Sequence, residues 1–170
     1  MNGQYDPGIH HRQSIRLKGY DYSQCGAYFV TICVHNRGCL FGAIADGKMQ
    51  LNEIGVMVQH GWEWLPQQYP YVAIDAFVVM PNHFHGILTI TDVCEGDSTG
   101  KRKPLGRLVG VFKTITTKGF NEMWCCPVEK LWQRNYYEHI IRGDNDYLRI
   151  AEYIQTNPFN WENDPLWTNP

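Results

Sequence analysis

No run of eighteen apolar residues occurs anywhere in the 170-residue chain, so no membrane-spanning helix is expected. Residues 1–20 are polar and charged and hold no apolar stretch of the kind a secretory signal needs. The six cysteines stand at positions 25, 33, 39, 94, 125 and 126, with no C-x-x-C pair and no two pairs at zinc-finger spacing, which excludes a zinc ribbon. Internal repeats and low-complexity tracts are also missing, which excludes a solenoid or a disordered tail. What remains is one domain spanning residues 1–170, with 44% hydrophobic residues and a length that buries roughly 68–70% of the unfolded surface. Such a core needs no disulfide or structural metal, and a cytoplasmic location is expected.

Positive charge is scarce overall: the formal net charge is −2 and the pI is near 6.4, unlike most domains that bind by neutralising phosphates. The mean conceals a segregation. Residues 1–50 sum to +2, residues 51–100 to −6, residues 101–135 to +6 and residues 136–170 to −4. A polyanion therefore has a local landing site in the third segment. Its candidate DNA contacts are Lys101, Arg102, Lys103, Arg107, Lys113, Lys118 and Arg134. The same charges read equally well as an ordinary solvated surface.

The pattern alternates strands and helices. Residues 27–34 (AYFVTICV) are β-branched and aromatic and predict a buried strand. A short hairpin is expected around Asp46-Gly47. Asn52 caps a predicted helix beginning at Glu53, with Ile54, Val58, Trp62 and Leu65 on its apolar stripe and Pro66 as its end. Residues 71–80 and 83–91 predict two strands joined by Pro81-Asn82. A second helix is expected at 105–123, a fourth strand at 132–137 and a last helix from Asp144 to the Asn157-Pro158 step, with a flexible loop at 94–104. This order is the split βαβ, ferredoxin-like α+β plan: an antiparallel sheet with helices on one face, plus an extra C-terminal helix.

Chemistry concentrates at residues 77–90. His83 and His85 are two apart on a predicted strand, so both imidazoles leave the same sheet face, with Cα atoms about 6–7 Å apart. That separation lets two ring nitrogens converge on one ion; the alternative is a pair of satisfied structural histidines. Gly86 beside them is expected to suit close approach of a ligand. Two histidines need a third protein ligand and leave open positions. The last helix offers Tyr153 and Asn157, four residues apart on one face beside the stripe of Tyr147, Ile150, Ala151 and Ile154. From spacing alone the same pair is also read as an ordinary boundary Tyr and helix-end Asn.

Taken together, M-P-N-H-F-H-G at 80–86, W-Q-R-N-Y-Y-E-H-I-I-R at 132–142 and Y-I-Q-T-N-P at 153–158 form a specific combination. With Y-D-Y-S-Q at 20–24, A-Y-F-V-T-I-C at 27–33 and L-F-G at 40–42, the chain from about residue 12 to 161 resembles the REP-associated tyrosine transposases. These are relatives of the single-tyrosine insertion-sequence transposases within the HUH endonuclease superfamily. The resemblance implies a DNA-transposition enzyme that cuts and rejoins single-stranded DNA at hairpin-forming sequences through a 5′-phosphotyrosine. It implies Tyr153 as nucleophile, His83 and His85 as ligands of Mg²⁺ or Mn²⁺, and Asn157 completing the metal site, where many relatives carry Gln. It allows either a monomer or a homodimer.

Other aromatic and titratable residues have quieter readings. Tyr136 and Tyr137 point to opposite faces of a strand, so one of them reaches the site, as a packing or DNA-stacking residue. Glu138 and His139 read as structural hydrogen-bonding groups. Trp124, Trp132 and Trp161 suit either base stacking or anchoring in the core. Two other classes of function stay open on the residues alone: a non-catalytic single-stranded nucleic-acid-binding module, and a metal phosphoesterase that uses water in place of tyrosine.

Overall fold

The computed structural model describes residues 16–92, 102–124 and 130–168. Strand β1 (Gly26–Cys33) is the first element, followed by the hairpin β2 (Gly42–Ala45) and β3 (Lys48–Leu51). Helices α1 (Glu53–Glu63) and α2 (Leu65–Gln68), strands β4 (Val72–Val79) and β5 (His83–Ile90), helix α3 (Leu105–Trp124), strand β6 (Tyr137–Ile140) and helix α4 (Asp144–Thr156) complete the order, with a 3-10 turn at Trp161–Asn163. The main sheet runs β4-β5-β1-β6 with every neighbouring pair antiparallel. That order is the one the split βαβ plan requires.

Local chemistry accounts for the boundaries. Asn52 accepts from the Gly55 amide at 3.0 Å and caps α1. Asp46 and Gly47, both at positive φ (52° and 68°), make the tight turn of the β2–β3 hairpin. Pro66 does not end the first helical region as expected; it lies in the first turn of the short α2, where its missing N–H costs nothing. The fourth sheet strand is also displaced from 132–137 to Tyr137–Ile140. Lys113 explains the shift: its ammonium takes the carbonyls of Gln133 and Arg134, which a strand would have used for pairing. Trp132 makes only an isolated bridge to Val34, and its indole N–H donates to the Thr116 hydroxyl at 2.8 Å.

The two faces of the sheet do different work. Val30, Ile32, Phe84 and Leu88 point to one side and join Val58 and Trp62 of α1 and Leu108, Val109 and Phe112 of α3 in the main core. Phe29 and Ile87 point to the other side, where Ile150 and Ile154 of α4 cover them. Each of those two isoleucines contributes about 1.5–3 kcal/mol by burial, enough to seat α4 on the sheet. Gly86 belongs to the main-core face and not to the histidine face: a Cβ there would stand 2.8 Å from the Phe84 ring and 3.0 Å from the Trp62 indole. Its small size admits tryptophan, and the expectation that it makes room for a ligand is corrected.

Candidate active site

Period-two alternation along β5 sends His83, His85 and Ile87 to the face that α4 covers. Helix α4 enters through Gly143 at φ 81°, and the Asp146 carboxylate closes its first turn by accepting from the Arg142 amide at 3.0 Å. Tyr147, the next residue, donates from its hydroxyl to Asp75 of β4. These ties place α4 over the β4–β5 half of the face and leave the β1–β6 half open.

Both histidines are buried and each ring is held by a partner. His83 Nδ1 lies 2.8 Å from Asn82 Oδ1, an acceptor, so Nδ1 carries the proton and Nε2 is the free nitrogen. His85 Nδ1 lies 2.8 Å from the Thr31 hydroxyl, which can donate or accept and so serves either tautomer. The two Nε2 atoms are 2.9 Å apart. Tyr153 Oη lies 3.2 Å from His85 Nε2 and donates to Asp164 Oδ2 at 3.2 Å. Asn157 Nδ2 donates to the same Asp164 oxygen at 2.7 Å, and the Leu166 amide donates to the other at 2.6 Å.

The donor set fits a divalent ion. Ligand atoms of His83, His85 and Asp164 lie within 4.8 Å of one another, and all three residues are buried. Two imidazoles and a carboxylate make a mixed nitrogen and oxygen donor set of the kind divalent metals use. Asn157 Oδ1 is buried without a hydrogen-bond partner among the described residues, a second oxygen with unused lone pairs in the same cluster.

Burial sets the proton affinities. It pushes His83 down to about 4 and His85 well below its usual value, with the His83 charge adding to the effect on His85. Burial first, and then the Asp164 charge, push the Tyr153 phenol up to about 12. Between pH 4 and 6.5 the unfolded chain therefore takes up protons that the folded pair refuses, so stability rises with pH through this window. Acidification from pH 7 to pH 5 is expected to lower the melting temperature. A His83→Gln, His85→Gln double variant should show a flatter dependence in the same calorimetric series.

The other predicted contacts are distributed differently. Lys101 lies outside the described residues, as do residues 94–100 of the predicted loop. Arg102 pairs with Asp92 at 3.3 Å, and Lys103 stands over the Tyr69 ring. Arg107, Lys118 and Arg134 are exposed. Lys113 is half-buried and its ammonium donates to the Gln133 and Arg134 carbonyls. All the α3 residues lie on the far face of the sheet from Tyr153. On the near face, Tyr137 is exposed and His139 holds Asp146 at 2.7 Å, both within β6. Trp132 and Trp161 are buried, leaving Trp124 as the exposed member of the three.

No family model matches the chain. An uncharacterised protein of Haemophilus influenzae is 44% identical over 99% of this chain and 100% of its own length. The fold is shared with a solved REP-associated tyrosine transposase bound to a REP hairpin, at TM-score 0.61 and 22% identity, over 88% of this chain and 74% of that one. The REP-associated tyrosine transposase of Escherichia coli is 26% identical over 81% of this chain and 68% of its own length. The chain is related to the REP-associated tyrosine transposases. In this transposase relative, the site includes residues that spacing did not reveal. Asp164 arrives from beyond the helix, after the chain reverses at the 3-10 turn. Asn82 sits inside the M-P-N-H-F-H-G motif, yet its tie to His83 depends on side-chain geometry. Its amide also donates to Leu166 O at 2.9 Å and the Thr168 hydroxyl at 3.1 Å, fixing the returning segment over the site.

Proposed function

We propose that this transposase relative nicks and rejoins single-stranded DNA at hairpin-forming sequences, with Tyr153 as nucleophile and His83, His85 and Asp164 as ligands of Mg²⁺ or Mn²⁺, Asn157 completing or orienting the set. The observation that carries this reading is the phenol itself: Tyr153 Oη stands 3.2 Å from both His85 Nε2 and the buried Asp164 carboxylate. A divalent ion bound there supplies Lewis-acid polarisation of a non-bridging phosphate oxygen and a positive charge that favours the phenolate. Tyr153 attacks phosphorus as its phenol proton passes to Asp164 Oδ2, the P–O3′ bond breaks as the P–Oη bond forms, and the departing 3′-oxygen takes up a proton, leaving a 5′-phosphotyrosine and a free 3′-hydroxyl. The Asp164 carboxylate that accepts from the phenol and the His85 ring packed edge-on against it at 5.2 Å hold Tyr153 in line for that attack. The product retains a phosphodiester, so the joining step runs back along the same path without ATP.

DNA reaches the site from the open side. Arg149 of α4 lines the cavity beside Tyr153, and the exposed Arg107, Lys118 and Arg134 offer further cations to the phosphate backbone. Incubation with hairpin-forming single strands and Mn²⁺, followed by denaturing electrophoresis, tests the proposal. A protein-linked strand that disappears with a chelator is the expected result. Cut strands without a linked product would indicate the water-using phosphoesterase, and a shifted but uncut strand the non-catalytic binding module.

A further inference from the structure

A cavity of about 500 Å³ opens directly beside Tyr153 on the uncovered half of the sheet face. Phe29 forms its floor, meeting the Tyr137 ring edge-on at 6.3 Å and the Tyr153 ring at 6.1 Å. Ile150 and Leu166 add apolar wall. Tyr137 is 54% exposed, an aromatic face on a β-strand with no described ring stacked over it. Around the cavity the Thr31 hydroxyl meets His85, and His139 and Arg149 each give one nitrogen to Asp146, at 2.7 and 2.8 Å.

Nothing in the chemistry of tyrosine attack requires an aromatic-walled cavity at the nucleophile, so it asks for an occupant. That occupant is planar and largely apolar in its faces, because the walls are mainly rings and branched chains. It is also part of an anion, because Arg149 stands at the rim with its side chain 69% exposed, so that one edge of the guanidinium meets Asp146 while the rest is open to a phosphate. An unpaired nucleobase on its phosphate backbone has both properties, and the volume falls in the range of small-ligand sites.

We propose that this cavity is a nucleobase subsite, which takes the unpaired base of a nucleotide adjoining the phosphate that Tyr153 attacks and stacks it on Tyr137. The inference rests on the reading of Tyr153 as a DNA nucleophile and adds to it a residue that sets the register of the strand. With walls made mainly of rings and branched chains, recognition is chiefly by stacking, so the identity of the base matters less than its presence.

The test scans an abasic site, one position at a time, through the single-stranded part of a hairpin oligonucleotide and measures the rate of adduct formation. One position next to the cleaved phosphate should lower the rate about 5- to 150-fold, the value of one stacked base. Exchange of that base for another should change it several-fold at most. In Tyr137→Ala the intact strand should already react slowly and the abasic strand no more slowly, while Tyr137→Phe should behave as the parent. Losses that multiply, or a Tyr137→Ala protein as fast as the parent, would overturn the subsite. A second readout is independent of cleavage: 2-aminopurine at the same position should change emission on binding to the parent and not to Tyr137→Ala. Emission that responds in this way without any adduct would sink the nucleophile assignment and keep the subsite, whereas adduct without it would do the reverse.

Discussion

Tyr153→Phe is expected to eliminate the covalent protein–DNA product, a loss of about a thousandfold or more in strand cleavage. The substitution removes one oxygen and little else. The ring keeps its edge-on contacts with Phe29 at 6.1 Å and His85 at 5.2 Å, and the side chain is 38% exposed, so folding should be retained. The hydroxyl that disappears is the one that meets His85 and Asp164. Binding of a hairpin strand should persist, because no phosphate contact is removed. A phenylalanine variant that still links to DNA would transfer the nucleophile to another tyrosine, and peptide mapping of the adduct would identify it.

The second large effect is expected at Asp164→Asn, read in two ways. Mn²⁺ affinity, measured by calorimetric titration, should fall about 10- to 100-fold with the loss of the anionic member of the set. Independently of metal, the Tyr153 phenol should ionise at lower pH than its present value of about 12, because the Asp164 charge that disfavours phenolate is gone while burial remains. The ultraviolet tyrosinate titration, with Tyr153→Phe as blank, reads that change. The isostere can be accommodated: the Leu166 amide still finds an oxygen, and the Asn157 side chain can rotate to offer its unpartnered Oδ1 to the new NH₂. Unchanged Mn²⁺ affinity would remove Asp164 from the ligand set and return the third position to Asn157.

How much of this was legible in the sequence follows the range of each interaction. The sheet order and the shared face of His83 and His85 follow from strand periodicity, which depends on backbone geometry alone. The helix bearing Tyr153 and Asn157 follows from the period of Ile150 and Ile154. The Trp132 strand was misplaced because its carbonyls are claimed by Lys113 from another element, a tertiary competition that no local pattern records. Asp164 was missed for the same kind of reason: a 3-10 turn after Pro158 returns the chain, and its angle cannot be deduced from composition. Gly86 carried a real signal of close approach, but only the three-dimensional core shows that the approaching group is Trp62.

The alternation along β5 also governs which changes in chain length the protein can survive. Phe84, Gly86 and Leu88 build the core from the same strand whose other side carries His83 and His85. Deleting or inserting one residue within that strand exchanges the two sets, placing imidazoles against Trp62 and a phenyl ring where the ligands stood. Foldability and reactivity are thus lost in the same event. Length variation among descendants of this chain should accordingly collect outside β5, where a frame-preserving indel can alter how DNA is held without reversing the strand.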